Sequence, residues 1–245
     1  MPTRFHIGAQ ALRGDIAAYA KRFDLLEVKT GAAAREPVPS VSTLRKWRKS
    51  VPPHFSFTVV AGVHLSMVKA SPALEADLAA ALAAVDALEA RCILLATPSD
   101  VTPSALWRDR MQKLVARFPQ DVTQVIWEPR GVWETDDAAV AAARWGVVLS
   151  VDAARDPVPA GPVAYVRLRA LGETRSFGPA ALEKVLVAIG ARRDAYVVFE
   201  TDSALVESKR LRSLAQSLGK GGRGGMGRVI RPRALTVKVR DDEQE

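Results

Sequence analysis

Eight short runs rich in apolar and β-branched residues recur along this chain, and most neighbouring runs are separated by a stretch of helical period. No other feature restricts the fold as strongly. Strands that alternate with helices lie parallel, and the helices between them must cover the sheet. The runs are "FHI" at 5–7, "LLEV" at 25–28, "FSFTVV" at 55–60, "CILLA" at 92–96, "VIWE" at 125–128, "VVLSVD" at 147–152, "AYVRLR" at 164–169 and "AYVVFE" at 195–200. Eight such units fit a (β/α)₈ TIM-type barrel, a fold of about 250 residues. The rival is a doubly wound open sheet, which rarely needs eight regular strands and prefers a glycine-rich first turn. No G-x-G-x-x-G follows a strand, the context a dinucleotide site needs, and the chain has no P-loop or G-x-S-x-G. The expected fold is therefore an α/β barrel, irregular between strands six and seven, where "DAARDPVPAGPV" shows no helical period.

The helices announce themselves by caps and spacing. Ser71-Pro72 is an N-cap with proline at the first helical position, followed by Leu74, Leu78, Leu82, Val85 and Leu88 on one stripe. Thr102-Pro103 repeats that start signal, Pro179 opens a helix with Leu182, Val185, Leu186 and Ile189, and Asp202 is placed to cap the last one.

Residues 1–218 are read as one barrel domain and 219–245 as a tail. Of the net charge of +8, the tail supplies +3, from seven basic residues between 219 and 240 and four acidic residues in 241–245. The segment "GKGGRGGMG" follows a helix rather than a strand, which suits a flexible linker better than a phosphate loop. No apolar run approaches the ~20 residues of a membrane span, and the first residues lack a secretory core, so the expectation is a cytoplasmic protein with no membrane partner. Cys92 is the only cysteine, which rules out an intrachain disulfide.

Alternation along each strand sorts side chains into those facing the helices and those facing the barrel axis. In "AYVRLR", Val166 and Leu168 suit the helix side, so Tyr165, Arg167 and Arg169 point inward. The same parity turns Ile126 and Glu128 inward in "VIWE", and Leu25 and Glu27 in strand two. Asp152 shares a face with Ser150, and Glu200 with Val198. These charges sit at the C-terminal ends of their strands, where barrels of this type build their sites. Pro129, lacking an N–H, interrupts the ladder after Glu128 and puts Arg130 and Trp133 on the following loop.

Two readings of this charge stay open. The carboxylates and arginines compensate one another as a plug in the barrel mouth, or they line a pocket. In the pocket reading Glu128 and Glu27 are the candidate acid/base groups. Arg130, Trp133, Asp152, Arg167, Arg169 and Glu200 then bind a small anionic or polyhydroxylated ligand. The position of Pro129 favours a solvated rim, where Glu128→Gln costs only about 1 kcal/mol. The three histidines, His6, His54 and His64, all fall within the first 64 residues, so a histidine-rich metal centre is disfavoured. A carboxylate-only Mg²⁺ or Mn²⁺ site through Glu27, Glu128, Asp152 and Glu200 is allowed but not demanded by the spacing. No cofactor or oligomeric state can be read from the chain.

With these residues in view, the chain resembles the uncharacterised family catalogued as domain of unknown function 72, whose members adopt a (β/α)₈-type barrel. The likeness runs over about residues 4–217. It is carried by "YAKRFDLLEV", "LRKWRKSVPPHFSFTV", "ILLATP", the pattern Glu128-x-Arg130-x-x-Trp133, "YVR" at 165–167 and "VVFETDSALVESKRLRSL". The resemblance also implies replacements. "GAQALRG" stands for the family's Gly-Trp-containing first loop, "TGAAA" for Phe-Tyr after strand two, apolar "VVAG" for a strand-three Lys, and "LRALG" for a His-Gly. Thr201 and Asp202 take the place of asparagines after strand eight. The family brings no established reaction, so an enzyme or binding protein at the barrel mouth is weighed against a nucleic-acid-binding protein that uses the basic tail. "GKGGRGGMGR" and "RPRALTVKVR" would bind phosphates without sequence preference, yet the tail has no aromatic residue to stack on bases. Leu235, Val237 and Val239 alternate with polar residues and so also fit a strand.

Overall fold

The computed structural model describes residues 3–31, 38–119, 122–170 and 176–221. Eight parallel strands close into a barrel in sequence order: β1 Arg4–Ala9, β2 Leu25–Lys29, β3 Ser56–Val60, β4 Cys92–Thr97, β5 Gln124–Pro129, β6 Val148–Val151, β7 Val163–Leu168 and β8 Asp194–Phe199. Closure is made by β1 on β8, paired from Arg4↔Asp194 to Ala9↔Phe199, which excludes the open sheet. The surrounding helices are α1 Ile16–Ala20, α2 Val41–Ser50, α3 Val63–Ser66, α4 Pro72–Leu88, α5 Ala105–Val115, α6 Thr135–Trp145, α7 Pro179–Ile189 and α8 Ala204–Gly221. None among the described residues is long and apolar enough to cross a membrane.

Strand parity divides the core as alternation requires. Leu25, Cys92, Leu94, Ile126, Val163, Tyr165, Tyr196 and Val198 pack together inside the barrel. Leu26, Val28, Trp127, Val166 and Leu168 join the larger core between strands and helices. Trp127 is fully buried there, and its indole N–H donates to Thr97 Oγ1 at 3.0 Å, so the ring enters an apolar layer without stranding a donor. Along the axis, His6 stacks on Tyr196 at 4.6 Å and Tyr196 lies 5.8 Å from Tyr165.

Two helix starts differ from the sequence signals. Ser71 does cap α4, accepting from Leu74 N–H at 3.1 Å. However, α5 begins at Ala105, because residues 98–103 are taken up in turns in which Thr102 N–H bonds Asp100 C=O. Asp202 does not cap α8; its carboxylate meets Arg13 in an exposed pair at 3.3 Å, and Ser203 C=O takes the first helical N–H groups. The α8 helix runs to Gly221, past the start assigned to the linker. The remainder of the tail, with the nucleic-acid reading and the alternation at Leu235, Val237 and Val239, lies outside the described residues.

The link from β6 to β7 carries no helix, as its composition suggests; backbone turns at Asp152 and the guanidinium of Arg192 hold it instead. Arg192 donates from Nε to Ile189 C=O (2.6 Å), from Nη1 to Pro159 C=O (2.7 Å) and Gly161 C=O (3.0 Å), and from Nη2 to Val158 C=O (3.3 Å). One guanidinium thus ties the link to the end of α7. Arg192→Ala removes all four hydrogen bonds, and at about 1–3 kcal/mol for a charge-assisted set that is partly exposed, it should lower stability by about 2 kcal/mol in a urea melt. A loss below about 0.5 kcal/mol would show that the link holds itself.

Candidate functional site

The strands deliver Glu27, Glu128 and Arg167 to one level near the C-terminal end of the barrel, with Arg169 and Glu200 one step beyond β7 and β8. Arg167 is the hub. Its Nη1 reaches Glu128 Oε2 at 2.6 Å, its Nη2 reaches Glu27 Oε2 at 3.0 Å, and its Nε lies 3.0 Å from Glu200 Oε1. Arg169 bonds Glu200 Oε2 from Nε at 3.1 Å and Glu128 Oε1 from Nη2. Tyr165 donates its hydroxyl to Glu27 Oε1 at 2.8 Å, and Gln10 donates its amide to Glu200 Oε2 at 3.3 Å. Three carboxylates therefore share two guanidiniums; Glu27, Glu128 and Arg167 are buried, while Glu200 and Arg169 at the outer edge are partly exposed.

This corrects the solvated-rim expectation for Glu128. The residue is 4% exposed, because Pro129 is itself still in the strand and paired opposite Thr97. The plug reading describes the contacts: each buried charge is paired, as desolvation demands. Environment then separates the acids. Burial pushes the Glu27 carboxyl up, and neither the Arg167 charge nor the Tyr165 hydroxyl offsets it. Burial acts on Glu128 too, but Arg167 and Arg169 together outweigh it and hold that carboxyl below the usual range. For Arg167, burial opposes the charge and the carboxylates prevail, so it stays firmly protonated.

The other sequence candidates fall elsewhere. Asp152 turns to the backbone, accepting from Ala154 N–H at 3.1 Å and Arg169 N–H at 3.2 Å, and so shapes the turn after β6. Arg130 is 60% exposed and only approaches Glu128, at 4.0 Å. Trp133 donates its indole N–H to Val101 C=O at 2.6 Å, meets Trp127 edge-on at 4.9 Å and carries Arg108 over its ring at 4.9 Å. These contacts make it a packing residue of the loop, with part of its surface on a small cleft of about 230 Å³ beside Asp152 and Arg169. The carboxylate-only metal arrangement is absent. Arginines stand between the acids, and among the described residues no group of three or more His, Cys, Asp or Glu is placed to hold a metal ion.

The larger opening lies to one side, over the ends of β1 and β8. A cleft of about 720 Å³ is lined by Gln10, Arg13, Tyr19, Arg22, Glu200 and Thr201, among others. It exists because α1 has only five residues and leaves the layer short. Tyr19 is spent on the backbone, donating to Leu25 C=O at 2.9 Å and accepting from Ala9 N–H at 2.8 Å. Thr201 is held by the buried carboxylate of Glu207. Glu200 alone belongs to both the cluster and the cleft. Its Oε1 and Arg167 Nε are close but out of line, and each lacks an aligned hydrogen-bond partner. Gln10, Arg13, Arg22 and Thr201 escaped the strand-parity reasoning because they lie on loops, where no periodicity marks an inward face.

The model for the family described as "Protein of unknown function DUF72" matches residues 6–232. This chain belongs to that family. A DUF72 family protein from Enterococcus faecalis V583 has a TM-score of 0.68 at 14% identity, over 86% of this chain and 95% of that one. Another from Thermotoga maritima MSB8 gives 0.62 at 16% identity, over 88% and 99%. A D-tagatose 3-epimerase-like protein gives 0.60 at 12% identity, over 91% and 100%. At these identities the likeness shows a shared fold, which for DUF72 and its neighbours is a TIM-type barrel. No curated protein matches the chain.

Proposed function

We propose that this DUF72 barrel binds a small polyhydroxylated molecule in the cleft over β1 and β8, and that the buried charge cluster serves as the rigid floor of that site. The observation that carries the reading is Glu200. It is the one carboxylate of the cluster that also borders an open cleft: its side chain is 13% exposed, and Gln10, another lining residue, donates to its Oε2 at 3.3 Å while Oε1 stays buried against Arg167. Ligand hydroxyls can donate to a carboxylate and accept from an amide N–H, and Gln10 and Thr201 add polar groups beside Glu200. The volume of about 720 Å³ lies within the range of about 300–1,000 Å³ usual for small-molecule sites. Glu27 and Glu128 act in this reading as counter-ions to Arg167; with a side chain 1% exposed, Glu27 is beyond the reach of a ligand in the cleft. The sugar named for the epimerase-like neighbour belongs to that protein, and the cleft chemistry here is argued independently of it.

A panel of neutral sugars and polyols, among them D-xylose, D-fructose, D-tagatose and myo-inositol, should contain a ligand that raises the melting temperature. At a concentration of 100 Kd the gain is about 2.7 kcal/mol, or about 5–10 °C for a domain of this size. Gln10→Leu should remove most of that shift while leaving the unliganded melt within about 0.5 kcal/mol of wild type. If no member shifts the melt, or if Gln10→Leu responds like wild type, the cleft is not the site.

A further inference from the structure

Granting that the cleft is a ligand site, we infer that its ligand also carries an oxyanion terminus, a phosphate or a carboxylate, received by Arg13 and Arg22. Both arginines line the cleft, Arg13 from the loop after β1 and Arg22 just after α1. Glu200, on the same wall, is already neutralised by Arg167 and Arg169, so it does not compensate them. Arg13 meets Asp202 at 3.3 Å, but the side chains are 79% and 82% exposed. An ion pair so solvated contributes little, and an incoming anion can displace it at small cost. Arg22 is less committed still. Its Nε donates to Ala18 C=O at 3.3 Å, and among the described residues it forms an ion pair with no carboxylate.

Together the lining is bipolar. Acceptors and amide groups gather at Glu200 and Gln10, and two guanidiniums stand free of buried carboxylates elsewhere on the same surface. A neutral sugar would use only the first part. The planar fork of a guanidinium matches the paired oxygens of phosphate or carboxylate, which gives the second part its ligand chemistry. Tyr19 also lines the cleft, but its hydroxyl is bonded to backbone in both roles and so is not available to a ligand.

The test uses the full chain and inorganic phosphate, titrated at constant ionic strength and followed by isothermal calorimetry. Saturable binding is expected for wild type, weakened about tenfold or more in Arg22→Ala and in Arg13→Ala. Arg45→Ala, an exposed arginine on α2, should bind phosphate like wild type. Competition among D-glucose, D-glucuronate and D-glucose 6-phosphate then separates carboxylate from phosphate as the terminus. Failure of wild type to bind phosphate, or undiminished binding by Arg22→Ala, overturns the inference even if neutral sugars bind. Phosphate binding that depends on Arg22 in a protein that takes no neutral sugar supports the anion site and instead overturns the polyhydroxylated reading.

Discussion

Arg167→Met is expected to unfold this barrel more readily than any other substitution discussed, by at least 3–5 kcal/mol at neutral pH. Arg167 touches Glu27, Glu128 and Glu200 at 3.0 Å or less, and it is 5% exposed. Methionine fills the stem volume but leaves three carboxylates to share Arg169, whose side chain is 36% exposed. Removing one partner of a buried pair typically costs about 3–5 kcal/mol, because the charge left behind is neither hydrated nor paired. For a domain of this size that lowers the melting temperature by about 6–20 °C. The deficit should shrink as pH falls and the stranded carboxyls take up protons. Guanidinium melts at pH 7 and pH 5 would measure both effects. A loss below about 1 kcal/mol would mean that water reaches the cluster and that the plug is not what holds the barrel mouth.

The second large effect separates the two acids by the sign of their pH dependence. Glu128 has a folded pKa below its unfolded value of about 4.3, so its contribution is fully present above that value and is lost as pH falls through the folded pKa. Glu128→Gln should therefore cost about 3–5 kcal/mol at pH 7, and the gap to wild type should close in acid. Glu27 runs the other way. Its folded pKa is raised by burial, so the wild type gives up stability as pH climbs from about 4.3 to the raised value. Glu27→Gln should lose less at pH 7 than Glu128→Gln does, and its balance against wild type should improve with rising pH. Denaturant melts of both variants between pH 4 and 8 decide the matter. Parallel curves would show that Arg167 does not distinguish the two carboxylates.

How much of this was legible in the chain follows from which interactions are local. Alternation has a period of two residues and is read within one strand, so the inward placement of Glu27, Glu128, Tyr165 and Arg167 could be assigned from "LLEV", "VIWE" and "AYVRLR" alone. The missing helix between β6 and β7 was likewise visible as proline and glycine where a helical period should be. The depth of Glu128 was not. Pro129 suggests a strand end, yet β4 continues opposite it, and that partner is fixed by the barrel's stagger rather than by the residue itself. Thr102 and Asp202 misled as caps for a related reason: a short polar side chain can serve a turn or an ion pair as readily as a helix start.

The sequence by itself determined the barrel, the face each strand charge occupies and the end of the barrel where the charges gather, because each rests on period and chain order. Only the tertiary structure decided that Glu27 and Arg167, 140 positions apart, share a hydrogen bond, and that Trp133 belongs to the tryptophan cluster with Trp127 and Trp145. It also decided that the open cleft lies over β1 and β8, beside the charges rather than among them. Those outcomes depend on how a closed sheet brings distant strands to one level and on where a five-residue helix leaves the outer layer thin, neither of which has a local signature in the chain.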